Sequence, residues 1–393
     1  MSSLLKRLEA PLANDKYGQI RERARKALMR HGFPDLKTEA WKYTSLRALD
    51  KRELGEDEKL SGRPELPFDY TLIDLSGGAE LPAGIRLEPL AVERFDDLEL
   101  DGKADAFSWL NLARVAQPWR LVIEKTQAQP IVLAQISPAS FSGDRHSYVQ
   151  IDVASDACVE LVDYQHDSGA GLINQVQTVQ LEPGARMDHI VMRNGAESAL
   201  IQRTETRVAA GADYRFTALD LGGRLHRHDL KIRLEAAGAR GEIDGVALID
   251  SAQHVDFHTS IEHVVGQTNS RETFHMLADG TGVGVFNGRI HMHRGADDSH
   301  SELNTANLLL SDSARINTKP ELEIYAEEVT ASHGATIGQL EDDALFYLRS
   351  RGIPASEAAS LLKAGFASKP LLNLGSEPVK KWLISELNKS LAS

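Results

Sequence analysis

The chain has 393 residues, 42% of them hydrophobic and 26% charged, so a folded protein with a sizeable buried core is expected and disorder is not. Its 57 acidic and 44 basic side chains give a net charge of −13 spread along the sequence, which disfavours binding to a phosphate backbone or an anionic membrane surface. The single cysteine, Cys158, excludes an internal disulfide, the opening MSSLLKRLEAPLANDKYG lacks the apolar stretch of a signal peptide, and no run approaches the roughly 18 apolar residues of a membrane span; a reduced, cytoplasmic setting is expected.

In chain order, Tyr17, Ile20, Ala24, Ala27 and Leu28 are spaced to share one side of a helix from about Asp15 to Arg30, which Gly32 and Pro34 stop. LKTEAWKYTSL follows, and its Trp41, Tyr43 and Leu46 read as anchors packed on the core. Residues 53 to 105, rich in Glu, Asp, Gly and Pro, read as an irregular connector with some strands. Past Trp119, apolar pieces such as WRLVIEK and PIVLAQI alternate with small turn residues and helical spacing largely disappears. The turn signals recur at Asp156-Ala157, Gly184-Ala185, Gly211-Ala212, Gly238-Ala239, Gly266-Gln267 and Gly295-Ala296, at intervals of 28, 27, 27, 28 and 29 residues. Stacked coils of a β-solenoid produce that rhythm, since no coil buries its apolar face alone; an antiparallel sandwich fits the spacing equally well.

Helices return near the carboxy terminus. EDDALFYLRSRGI has an acidic start suited to the positive end of a helix, and Gly352 ends it. Pro354 and Ser356 open ASEAASLLKAGF, with Ala358, Leu361 and Leu362 on its buried side and Gly365 near its stop. In EPVKKWLISELNKSLA, Val379, Leu383 and Leu387 are four apart, and Trp382 and Ile384 widen that stripe beyond the needs of a monomer, which points to a partner surface.

Strand alternation in HVDFHTSIEH puts His254, Asp256, His258, Ser260 and Glu262 on one face and Val255, Phe257, Thr259 and Ile261 on the other. The first set suits a transition-metal site, and equally a solvated or interfacial polar face; convergent geometry separates these readings. His226/His228 and His291/His293 each present two imidazoles from one strand. Arg289 shares the face of the second pair and counts against a cation there, while His228 has the parity of Leu230, Ile232 and Leu234, as a packed histidine would. Cys158, between Ala157 and Val159, reads as a buried apolar filler. No G-x-x-x-x-G-K-[ST] or G-x-S-x-G run occurs, and Gly280-Thr-Gly-Val-Gly284 reads as a strand-to-strand turn, so neither a phosphate cradle nor a serine nucleophile is indicated. The histidines leave open a metal-dependent enzyme on a β-solenoid or cupin-like scaffold, using His254, His258 and a His-x-His pair.

Three segments, QHVDFHTSIEH at 253–263, GVFNGRIHMH at 284–293 and LEIYAEEVTASHGATIG at 322–338, together resemble the SufD branch of the SufB/SufD family of iron–sulfur cluster assembly scaffolds. LKTEAWKYTSL and FYLRSRGI extend the likeness towards both ends. The resemblance implies a mainly β fold with helical ends: a right-handed β-helix (solenoid) core at 119–338, between an amino-terminal helical region and connector at 1–118 and a carboxy-terminal helical domain at 339–393. It implies a non-catalytic scaffold that pairs with a SufB-like subunit through its late strands and docks a SufC-like ATPase, which would hydrolyse the ATP. Phe346, Tyr347, Leu348, Arg349 and Arg351 are the docking residues so implied.

The family places a histidine, here His333, at the SufB interface as a candidate ligand for iron or a nascent cluster; many relatives carry a cysteine two residues earlier, where this chain has Ala331. One thiolate cannot hold a cluster that takes four. No cofactor is therefore expected on the chain alone, only a transient iron–sulfur cluster or iron shared with SufB. No nucleic-acid or membrane partner is expected, and homodimerisation is open to the isolated chain.

Overall fold

The recurring turns have the backbone their sequence asks for: Asp156, Gly184, Gly211, Gly238 and Gly295 all have φ between +60° and +81°, a region that glycine enters without steric cost. At the fifth turn Gln267 takes the positive φ, and Gly266 is needed for space, since a Cβ on it would come 2.4 Å from the Asp297 carbonyl oxygen. The computed structural model describes residues 15–51, 63–75, 80–95, 98–100 and 102–392, with residues 4 and 13. Parts of the expected connector, at 53–62, 76–79, 96–97 and 101, lie outside the described residues.

The strands are β1 (Thr71–Ile73), β2 (Ile85–Pro89), β3 (Trp119–Ile123), β4 (Ile131–Ser137), β5 (Asp144–Val153), β6 (Cys158–Asp167), β7 (Leu172–Leu181), β8 (Arg186–Val208), β9 (Asp213–Leu234), β10 (Arg240–Ile249), β11 (His254–His263), β12 (Asn269–Ala278), β13 (Val283–Met292), β14 (Ser299–Leu309), β15 (Arg315–Ile324) and β16 (Val329–Gly338). Among the described residues every pairing is parallel except that of β2 with β3. They form two stacks. One runs β1, β4, β6, the first halves of β8 and β9, then β10, β12, β14 and β16. The other runs β2, β3, β5, β7, the second halves of β8 and β9, then β11, β13 and β15. Each coil gives one strand to each stack, which is a parallel β-solenoid; the sandwich alternative falls because consecutive strands in a stack are parallel.

Both faces of most strands are buried, which explains their near-continuous apolar runs. Inward side chains fill the lumen, among them Leu161, Phe216, Ile243, Phe257, Phe274 and Phe286. The outer face of the second stack is covered by α1 (Gly18–His31) and α2 (Ala106–Arg114), whose Ala24, Leu28 and Leu110 join a cluster with Tyr148, Val176 and Ile201. The outer face of the first stack is covered by the carboxy-terminal helices. The helices there are α3 (Asp342–Ser350), α4 (Ala355–Ser368) and α5 (Glu377–Ala392), of which α4 and α5 lie on the sheet and α3 packs on α4.

Three helical expectations are corrected. α4 runs through Gly365 to Ser368, and Leu361 is 49% exposed rather than on its buried side. Trp382 is not left for a partner: it packs on Phe68 and Tyr164, with ring centroids 5.7 and 5.9 Å away, and Ile384 joins the same cluster. The sheet beneath α5 and the 63–70 segment beside it bury a wider stripe than one neighbouring helix would. No described helix is long and apolar enough to cross a membrane.

The solenoid is finished differently at its two ends. Ile73 and Ile85, with Leu75, Leu81 and Leu87, close the start of the lumen, and antiparallel β2 lies against β3. At the other end, among the described residues, β15 pairs only with β13 and β16 only with β14, and Ile324, Tyr325 and Ile337 are exposed.

Candidate functional site

β11 alternates as its sequence predicts, with Val255, Phe257, Thr259 and Ile261 buried in the lumen. Its opposite face is not solvated at Asp256, which is fully buried because residues 39–44 cross it. Thr44 Oγ1 donates to Asp256 Oδ2 (2.5 Å) and meets His254 Nε2 (2.9 Å). Arg227, beside His226 and His228 on β9, pairs in register with Asp256. Its guanidinium donates to Asp256 Oδ2 (2.6 Å), the Ala40 carbonyl (2.8 Å) and both oxygens of Asp229, and lies 4.0 Å from the Trp41 ring centroid. His258 Nε2 is 3.0 Å from Asp256 Oδ1.

Burial works to raise the Asp256 pKa, but Arg227, His258 and Thr44 outweigh it and hold the carboxyl well below the usual carboxylate range. Burial holds His254 below its ordinary value. This row is therefore a clamp on the amino-terminal segment, the interfacial reading of the motif. Its carboxylate is already charge-paired, so it is a poor place for a metal.

The two His-x-His pairs diverge. His226 Nδ1 is 2.8 Å from Asp220 Oδ1, and His228 lies between Arg193 Nη2 at Nδ1 and Thr204 Oγ1 at Nε2, both 2.9 Å away. Burial, then Arg193 and His189, push the His228 pKa far down, so it acts as a neutral hydrogen-bonded core residue. Its neighbours form a luminal polar network that composition and spacing did not flag: Asp163 Oδ2 accepts from Gln175 (3.0 Å), Gln177 (2.9 Å) and Gln202 (3.2 Å), and Arg193 reaches Gln202 and Asp220.

In the second pair, His291 Nδ1 is 2.5 Å from Arg289 Nη2 and 3.1 Å from Glu323 Oε2. Glu262, near His293, is held by Lys231 and Arg233. Glu323 is paired with Arg289, and Glu262 with Lys231 and Arg233, so neither carboxylate is free to balance a metal ion. Among the described residues no group of three or more His, Cys, Asp or Glu is arranged to hold a metal ion. Cys158 is half-exposed rather than a buried filler, because it opens β6 at a corner and its parity points out of the lumen.

His333 lies in the last coil. It pairs in register with Leu303 of β14, whose side chain is buried in the lumen, so His333 has inward parity with no described coil above it. It is exposed for that reason. Ala331 has the same parity and packs partly against the luminal core, so a cysteine at that position would face the same opening.

The implied docking residues lie on and just past α3, a helix with no buried residue. Phe346 is 72% and Tyr347 56% exposed, Leu348 is half-buried, and Arg349 and Arg351 are exposed, with the Arg351 guanidinium 5.2 Å from the Tyr347 ring centroid. Exposed aromatics of that size beside arginine are the composition of an interaction surface.

Residues 139–366 match the family model described as SUF system FeS cluster assembly, SufBD core domain. The chain is 27% identical over 389 residues to the iron–sulfur cluster assembly protein SufD of Escherichia coli K12, covering 93% of this chain and 90% of that protein. It is 35% identical over 201 residues to a SufBD family protein of Synechocystis, covering 50% of this chain and 44% of that one. A SufBD family protein of Mycobacterium tuberculosis H37Rv is 24% identical over 373 residues, covering 91% and 89%.

Proposed function

The chain belongs to the SufBD core family of the SUF iron–sulfur cluster assembly system, and from that premise we propose that it is a non-catalytic scaffold subunit with three contacts. It pairs with a SufB-like subunit through its open strand end, docks a SufC-like ATPase on α3, and offers His333 to iron or a nascent cluster as cargo. The observation that carries this reading is the position of His333, an exposed imidazole of inward parity on a strand whose outer edge is unpaired. Imidazole binds iron and replaces cysteine on some clusters, and the chain's one thiol lies on β6, far along the stack from β16. Sulfur ligands must then come from the partner.

Unpaired edges on β15 and β16 supply the backbone donors and acceptors that strand pairing with another subunit uses. ATP-driven closure of two SufC copies would move the helical domain, and its link to the sheet has a defined contact: His275 Nδ1 on β12 is 2.9 Å from the Phe366 carbonyl on α4, with the two rings 4.5 Å apart. β12 pairs with β14, and β14 with β16. A displacement of α4 thus has a short route to the strand that carries His333.

Replacing His333 by alanine, confirming that the complex still assembles, and measuring cluster formation in cells tests the ligand role. Lost clusters in an intact complex support it. Unchanged yield rejects it and leaves a structural adaptor. The metal-dependent enzyme gains no support from the clamp geometry at Asp256, and a stoichiometric, tightly held ion that is lost on replacing His254 or His258 would restore it.

A further inference from the structure

The open end has depth as well as an edge. One inward column runs through Leu161, His189, Phe216, Ile243, Glu272, Leu303 and His333, each in register with the next. Glu272 is fully buried two coils below the end. Other buried carboxylates here have clear partners: Asp163 accepts from amides, Asp220 from an imidazole and Asp256 from a guanidinium. Neither oxygen of Glu272 has a well-formed hydrogen bond, although the Thr259 hydroxyl across the lumen is close enough to act on the carboxyl. Above Thr259 on that stack comes Gly288, which has no side chain, and then Pro320. Leu303 fills the room Gly288 leaves, since a Cβ on Gly288 would come 2.6 Å from Leu303 Cδ1. In this column only Leu303 stands between Glu272 and His333.

We propose that Glu272 and His333 form a two-ligand site for a divalent transition-metal cation at the open end of the lumen, with Leu303 as the side chain that swings aside to admit the ion. Neighbouring coils are about 4.8 Å apart, so the two backbones are separated by roughly 10 Å. Glutamate and histidine each reach an ion about 5 Å or more from their Cα atoms when donor–ion distances are about 2.1 Å. Their combined reach spans the gap at the level Leu303 now occupies. Mixed imidazole and carboxylate donors suit Fe(II), Co(II) or Zn(II) rather than calcium or magnesium. Two protein donors leave positions for water or for a partner subunit's side chains. Glu272 is fully buried with neither oxygen in a well-formed hydrogen bond, so a cation would supply the partner that the fold does not.

This inference rests on His333 being a ligand, and Co(II) titration of the full chain, followed by visible absorption, tests the two separately. Glu272→Gln keeps the shape of the buried acid, and a cooperative circular dichroism melt establishes that it folds. It is expected to weaken Co(II) binding about tenfold or more, as is His333→Ala. Leu303→Ala is expected to tighten binding, and adding Glu272→Gln to it should remove that gain. Unchanged Co(II) affinity and spectrum in Glu272→Gln overturns the inference, and does so without touching the proposed function if His333→Ala still abolishes cluster formation in cells. Loss of Co(II) binding in Glu272→Gln but not in His333→Ala overturns the pairing as well.

Discussion

The covered flanks of this solenoid and its open end are built from the same repeat and put to opposite uses. Along the flanks, polar side chains on strand faces are locked: Asp256 is held by Arg227 and Thr44 under residues 39–44, and the sheet opposite lies beneath α5. At the open end β16 carries small and polar residues, β15 carries Lys319, Glu321 and Glu323, and both outer edges are unpaired. The charges on β15 blunt such an edge against indiscriminate pairing while leaving its backbone available to a specific partner, and the exposed Ile324, Tyr325 and Ile337 offer that partner apolar contact. The difference teaches that histidines in similar strand patterns take their roles from what covers them.

If that contrast is right, substitutions in the covered region cost stability and those at the open end cost partnership. The largest effect is expected from Arg227→Ala, which strands Asp256 as an unpaired buried charge and should destabilise by about 3–5 kcal/mol in denaturant unfolding. The pH dependence has a definite sign. The folded-state pKa of Asp256 lies below its unfolded value near 3.8, so its contribution is present above that value and is lost as pH falls through the folded pKa. The acid-side slope of stability should therefore flatten in Arg227→Ala.

Trp382→Ala should cost about 3 kcal/mol by opening a cavity under α5, read from the shift in thermal midpoint. A smaller effect, of opposite pH sense, is expected for Glu272→Gln. The folded carboxyl binds its proton up to about pH 8 and the unfolded one releases it near 4.5, so wild-type stability from this group is full below 4.5 and declines as pH rises towards 8. The melting temperature of the glutamine variant relative to wild type should rise across that window. Smallest in stability are His333→Ala and Phe346→Ala, each within about 0.5 kcal/mol. The first should nonetheless abolish cluster formation in an intact complex, and the second should reduce co-purification of the ATPase. A large loss of stability from either would break the contrast.

Much of the architecture was legible because it is periodic. A turn every 27 to 29 residues, with glycine or aspartate where φ is positive at every one but the fifth, is written into the chain and needed no tertiary knowledge. Parity within β11 was equally plain. What parity could not supply was the covering layer: the pairing of Asp256 with Arg227 joins residues 29 apart across two coils, and Trp41 completes it from 186 residues away from Arg227. Leu361 and Trp382 were misjudged for the same reason, since a helical stripe records that something is buried without recording against what.

The sequence by itself determined the repeat, the inward and outward alternation and the motif around His333, because these depend on neighbours along the chain and on the short period of a strand. Only the tertiary structure decided that His254 and His258 belong to a clamp, that Cys158 faces outward, and that Glu272 and His333 share one column. Those outcomes depend on the register between coils and on which coil is last, and both are fixed by packing summed over the whole stack.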